Sequence, residues 1–425
     1  MASNAKNLAE LLNTDSTVAA VDVADGSITT AKLAADAVTA AKLADNAVVT
    51  ANISDSAVTS GKVNPAGLNL GRRNLIINGA MNIAQRATEV TGLSSSNTYQ
   101  TVDRMFIRNS GAGTFTNRQS TDNPGYGFRR SIEFDCTTAD SLSAADFAYM
   151  GYKLEGFDAV RTKKGMTGAG DVTLSFWVKS SETGTAVVGI NDSDNALLQN
   201  RHYTINSANT WEHKTITISF IDGTNTFNFD NGQAMMLFWW IAAGTDRTSG
   251  SLQNSWSSTV TANEAAGQTV NAMRTTDSYI RFTGIQLEVG SSASDFEHRS
   301  FGEELHQCKR YYQQFGGSQG KVVCSVYPPS VQELAMNFKF SPQMRTTPSN
   351  DWSSDSTNLT YRYQNNNSQN FSRGSLSNDG TMGEVDEDGG NMWVAGWSHG
   401  VSGDGGGEIR VSDNTTFFIK FDAEL

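Results

Sequence analysis

Cysteine and proline are scarce, with 3 and 6 in 425 residues. The cysteines, Cys136, Cys308 and Cys324, are odd in number and form no C-x-x-C pair, so no disulfide framework or zinc site is signalled. Cys136 and Cys324 fall in alternating apolar stretches and read as small core residues, which fits assembly in a reducing cytoplasm. Only five histidines occur, and neither a P-loop nor an H-E-x-x-H pattern is present. The expectation is a non-enzyme with no cofactor and no metal site. Charge is also sparse, at 18% of residues, and tilts acidic, with 32 Lys and Arg against 44 Asp and Glu. That balance argues against a sequence-independent nucleic-acid binder, which needs clustered cations on phosphates. The longest apolar run, residues 234–243, is too short to span a bilayer, so membrane insertion is not expected. The opening MASNAKNLAELLN lacks the apolar centre of a secretion signal, and export by that route is not expected.

No aromatic residue precedes Tyr99. What fills residues 15–64 instead is a ten-residue repeat. Val18, Ile28, Val38, Val48 and Val58 form one register, and Val23, Leu33, Leu43, Ile53 and Val63 form another, offset by five. A five-residue period matches neither a helix nor a strand, nor a heptad coiled coil. Two small apolar residues per repeat cannot make a core within one chain, whereas several chains around an axis could bury them. The segment therefore reads as a slender oligomeric shaft, with these ten residues as its trimer core; a disordered linker is the alternative. Residues 1–14, with Leu8, Leu11 and Leu12, read as a helical attachment patch.

What remains is rich in Ser, Thr, Asn and Gln, about a third of the whole chain. From residue 99 strand-like alternation sets in, as at Ile132, Phe134 and Cys136, at Leu174, Phe176 and Val178, and at Ile216, Ile218 and Phe220. Residues 235–241 form a continuous apolar run suited to a central strand covered on both faces, and are expected to be core. Residues 279–289 read as a strand with a bulge at Gly284. The fold class expected is mainly β: a β-sandwich or jelly roll over 70–298 and a second β-rich unit over 317–425. Between them Ser300 and Glu303 form a capping box for a linking helix over 299–316, ending at Gly316-Gly317.

The motif NLIINGAMNIAQR at 74–86 resembles the opening of a module found in tail fibres and receptor-binding proteins of tailed bacteriophages. TVDR at 101–104, FTGIQLEVG at 282–290, FEHRSFGEEL at 296–305 and CKRYY at 308–312 are similar to that module's later signatures, in the same order. The resemblance covers roughly residues 15–315. It implies a carbohydrate-binding-type jelly roll in a homotrimeric fibre. The N-terminus would meet phage tail or adaptor proteins, and the distal β domains would meet host-surface polysaccharide or lipopolysaccharide. It also implies a virion location after assembly in the host cytoplasm. A polysaccharide-degrading tailspike-like enzyme and a structural fibre or adaptor are the competing readings.

In the last quarter, polar stretches are interrupted by Trp352, Tyr361, Tyr363, Trp393 and Trp397. Flat rings with polar tips suit sugars, so these five are the candidate glycan-binding residues; core packing is the alternative for each. Trp393 and Trp397 would share a strand face. His298 reads as a structural hydrogen-bonding residue. NDSDN at 191–195 and DEDG at 386–389 resemble pieces of calcium loops but complete none, and read as solvated turns.

Overall fold

The computed structural model describes residues 33, 38, 39, 43, 53, 72–223, 225–317, 321–330, 333–352, 359–363, 368–370, 382–395, 407–411 and 417–425. The chain divides after Val63 into two units. In the first, Leu33, Val38, Leu43 and Ile53 are exposed. Val18, Val23, Ile28, Val48, Val58 and Val63 lie outside the described residues, as does the patch at 1–14.

The second unit is mainly β. Its first eleven strands are β1 (Glu89–Tyr99), β2 (Phe106–Ser120), β3 (Ser131–Thr138), β4 (Phe147–Glu155), β5 (Asp171–Ser180), β6 (Gly184–Asp192), β7 (Leu197–Ile205), β8 (Glu212–Ser219), β9 (Gln233–Ala243), β10 (Ser257–Ser258) and β11 (Tyr279–Val289). They form one antiparallel sheet in the order β10-β7-β6-β9-β4-β2-β3-β11-β5-β8, with β1 added on β2. The sheet curls so that its two halves enclose one core, the jelly-roll solution to burying a half-apolar sheet. Alternation delivers the core residues: Met150, Tyr152 and Leu154 from β4, Leu174, Phe176 and Val178 from β5, and Leu237, Trp239 and Ile241 from β9. The Phe176 ring stands edge-on to Tyr203 at 5.1 Å and to Trp239 at 5.9 Å. Burying such side chains stabilises by about 1.5–3 kcal/mol each.

The expected bulge in β11 is present. Its register on β5 slips between Thr283 and Gln286, and Gly284 has φ +62°. A Cβ there would come within 2.6 Å of the Phe128 ring, so only glycine fits. All three cysteines are buried and free.

One helix of regular length follows, α1 (Phe301–Lys309), with the Ser300 side chain accepting from the Glu303 amide. The expected helix is too long at its C-terminus. Residues Tyr312–Gly317 form strand β12, paired throughout with Phe417–Asp422. A partner more than a hundred residues away supplies the backbone bonds that a further helical turn would have supplied.

Strands β13 (Val322–Ser330), β14 (Glu333–Lys339), β15 (Ser349–Trp352), β16 (Leu359–Tyr363), β17 (Ser368–Asn370), β18 (Met382–Val385), β19 (Gly389–Ala395), β20 (Gly407–Val411) and β21 (Phe417–Asp422) complete the chain. They form a three-stranded sheet, β12-β21-β15, and a seven-stranded one, β17-β16-β20-β13-β14-β19-β18.

The end of the chain is clasped to the jelly roll. Arg86 pairs with Asp422 at 2.9 Å and Glu424 at 3.4 Å, and Arg104 with Glu424. Arg345 donates to the carbonyls of Ala423 and Glu424. The guanidinium groups lie over rings, Arg86 at 3.9 Å from Tyr312 and Arg104 at 3.4 Å from Tyr311. Asp103 is buried beneath, accepting from the Gln85 amide and side chain. Burial pushes its pKa up to about 6, outweighing Arg86 and Gln85, which pull it down. A carboxyl harder to ionise in the folded than the unfolded state costs stability as pH rises from about 4 to about 6, and the cost is constant above that. Asp103→Asn should therefore gain in melting temperature relative to wild type across that window and hold the gain at higher pH. Parallel difference curves at pH 4 and pH 7 would contradict this.

Candidate functional site

The outer face of the β6-β9-β4-β2-β1 half-sheet carries a second aromatic cluster, separate from the main core. Register sets it out in rows across the strands. One row runs Gly189, Phe238, Gly151, Phe106, Tyr99, and the next runs Trp240, Tyr149, Arg108, Asn97. In the first, glycines flank Phe238, which lies flat over Gly189; a Cβ at Gly189 would sit 2.2 Å from the ring. At Gly151 the space is taken by Met236, whose Cε lies 2.8 Å from where a Cβ would sit, so the glycines let the neighbouring side chains pack down onto the sheet.

At one end this aromatic face is covered. Arg247 lies over Phe147 at 3.9 Å and pairs with Glu264, whose carbonyl accepts from Trp240 Nε1 at 2.9 Å. At the other end it opens into a groove of 540 Å³ whose walls include Tyr99, Phe106, Arg108, Tyr149, Lys153 and Met236. Five strands at about 4.8 Å spacing make the face roughly 20 Å wide, enough for several sugar rings in line.

The groove carries both signs of charge, with Arg108 and Lys153 on its walls and Asp422 among them. Lys153 Nζ lies 4.3 Å from the Phe106 ring centre and donates to the Leu425 carbonyl at 2.5 Å. Burial holds the Lys153 pKa below its ordinary value, and burial pushes that of Tyr149 up, so its hydroxyl remains a donor. Aromatic faces beside Arg, Lys, Gln233 and Asn97 match a ligand with apolar ring faces and polar edges.

Comparison with known proteins adds little to this geometry. No family model matches the chain, and no curated protein matches it. Among solved structures, it overlaps a tailspike protein of bacteriophage CBA120 at 11% identity and TM-score 0.29, covering 51% of this chain and 22% of that one. It overlaps a family 61 carbohydrate-binding module in complex with β-1,4-galactotriose at 9% identity and TM-score 0.26, covering 51% and 99%. The family 11 carbohydrate-binding module of a Clostridium thermocellum cellulase overlaps at 11% identity and TM-score 0.25, covering 50% and 99%. Overlaps this partial carry no weight for what the chain binds.

The residues singled out in the last quarter are dispersed. Trp352 ends β15 in the three-stranded sheet, while Tyr361 and Tyr363 lie in β16 and Trp393 in β19 of the seven-stranded sheet. Strands β20, β13 and β14 stand between β16 and β19, a separation of about 19 Å at the usual spacing. Trp397 lies outside the described residues.

The signature residues do converge, but inward. Asn74 Nδ2 donates to the Ile285 carbonyl, and its Oδ1 accepts from the Ile76 and Leu287 amides. Asn78 binds the carbonyls of Ile83 and Asp103, and its amide meets Glu304. Arg299 donates to the carbonyls of Asn74 and Ile76. These residues stitch the chain's entry, β11 and α1 together. His298 packs its ring against Phe128 and Phe296 at 5.0 and 4.9 Å.

NDSDN is a turn. Asp192 accepts from Asn195 and pairs with Lys164 at 2.7 Å, and Asp194 accepts from Asn228. Asp386 likewise closes its turn, accepting from the Asp388 and Gly389 amides. Among the described residues no cluster of His, Cys, Asp or Glu could hold a metal ion, and no helix is long and apolar enough to cross a membrane.

The continuous apolar run at 235–241 announced a strand covered on both faces, and β9 is one. Nothing in the sequence said that Gly189 and Gly151 would flank Phe238, because that depends on which strands become neighbours.

Proposed function

We propose that this chain is a tail-fibre protein that attaches a phage particle to host-surface glycan without cutting it, and that the groove over Tyr149 and Phe106 is a glycan site. The observation that carries the reading is the 540 Å³ groove in which the rims of Tyr99, Phe106 and Tyr149, each under a tenth exposed, meet Arg108, Lys153 and Gln233. The phage resemblance of the signature motifs supports the setting. The exposure of Leu33, Val38, Leu43 and Ile53 in the single chain supports a homotrimeric shaft, since apolar residues repeated at this spacing gain by meeting copies of themselves.

The test is adsorption of purified full-length protein to host cells, with melting temperature measured alongside. Tyr149→Ala and Arg108→Ala should each weaken adsorption by about 10- to 100-fold, the size expected for a central contact. Trp352→Ala, Trp393→Ala and Trp397→Ala should adsorb like wild type. Normal adsorption by both groove variants would remove the groove from the reading. Loss in the tryptophan variants without unfolding would move the site to the chain's last quarter.

A further inference from the structure

On the other half of the sheet, Tyr126 stands out among the large side chains. It is 76% exposed, yet its ring is held, stacked on Trp177 with centroids 5.0 Å apart and planes at 21°. Its backbone φ is +49°, a left-handed conformation that bulky residues rarely adopt, between Gly125 at +83° and Gly127 at +87°. Stability alone would favour glycine or asparagine in the middle of such a turn. Held strain at an exposed ring points to a use for the ring.

The underlying surface is ordered. Trp177 of β5 faces His213 of β8 across the strand pair, ring centres 5.0 Å apart. Beside them Asp122 accepts from Lys179 Nζ at 2.8 Å, Arg281 at 2.8 Å and Trp211 Nε1 at 2.9 Å. Arg281 also meets Glu133 at 2.8 Å. Glu133 also meets Arg118 at 3.3 Å, so both carboxylates beside the rings are already engaged by cations.

Burial holds the pKa of His213 below its ordinary value, so the imidazole is neutral at pH 7, with one nitrogen donating and one accepting. Thr215, two residues along the same strand face, is exposed.

We propose that Tyr126, backed by Trp177, is a second carbohydrate platform, taking an uncharged pyranose ring on the open face of Tyr126 with His213 and Thr215 reaching its hydroxyls. The class of ligand follows from the surface. A flat apolar ring face meets Tyr126; Asp122, Lys179 and Arg281 are already paired with one another, and His213 and Thr215 are neutral. This rests on the glycan-binding reading but uses a different face from the Tyr149 groove. One chain would hold two contacts to the same polysaccharide, and tethered contacts reinforce one another through effective concentration.

The experiment is calorimetric titration of the full-length chain with cellohexaose, mannohexaose and galactohexaose. Tyr126→Ala, Tyr126→Phe, Tyr126→Gly and Tyr149→Ala are compared with wild type. For at least one hexaose, Tyr126→Ala should weaken one class of sites by about tenfold or more, and Tyr126→Phe should leave it nearly unchanged. Tyr126→Gly should lose the same sites while melting no lower than Tyr126→Ala, because glycine relieves the left-handed strain. Tyr149→Ala should leave those sites intact. Binding of all three sugars unchanged by Tyr126→Ala, or no binding of any, overturns the platform. If Tyr126→Ala is silent while Tyr149→Ala abolishes binding, the platform falls and the groove stands; the opposite pattern removes the groove alone.

Discussion

Alanine in place of Lys164 should lower the stability of the second unit by about 3–5 kcal/mol, the usual cost of stripping one partner from a buried ion pair. Lys164 has no exposed side-chain surface, and neither has Asp192, whose carboxylate lies 2.7 Å from Nζ. Asp222 lies at 2.5 Å and the Asn225 carbonyl accepts at 2.8 Å. The Trp256 and Phe227 rings close the surroundings, at 4.7 and 5.4 Å. Removing the ammonium leaves the Asp192 charge with only Asn195 as donor, in a site water does not reach. Lys164→Met combined with Asp192→Leu and Asp222→Asn should recover most of the loss, since an apolar replacement of a whole buried pair is often neutral. Urea denaturation of the three proteins checks both statements. A single-alanine loss under 1 kcal/mol would mean that the pair is solvated in solution.

The second large effect is expected at Arg104. This guanidinium is buried, pairs with Glu424, donates to the Lys153 carbonyl at 2.7 Å and lies 3.4 Å from the Tyr311 ring. Arg104→Ala removes three kinds of contact at once and leaves Glu424 beside Arg86 alone, at 3.4 Å. A loss of about 3–5 kcal/mol is expected. It should also be localised. Hydrogen exchange should speed up in β12 and β21, which the clasp holds, before it does in β4 and β9 of the jelly-roll core. Arg104→Lys should fall between, keeping the charge and losing the fork that spans Glu424 and the backbone. Uniform acceleration across the whole unit would show that the clasp and the jelly roll unfold as one.

These two clusters also show what could be read in advance. The mainly β class was legible, because two-residue alternation at Ile132, Phe134 and Cys136, or at Leu174, Phe176 and Val178, has no other economical use. So were the bulge at Gly284 and the start of α1, where single residues carry the local geometry. The end of α1 was misread for the opposite reason. Residues 312–315 suit a helix locally, but β21 offers them a ladder, and distant partners do not show in a local pattern.

The same division runs through the sites. Residue types alone set which positions were apolar or polar and where turns fell. Tertiary structure decided which of those residues meet. It turned Asn74, Asn78, Asp103 and Arg104 into an internal clasp and spread the last-quarter aromatics over two sheets. It also set Phe238 between two glycines and laid Tyr126 on Trp177. The physical reason is that strand pairing is non-local. Alternation assigns each side chain to a face, but the neighbours on that face come from strands tens to hundreds of residues away, chosen by closure of the whole sheet.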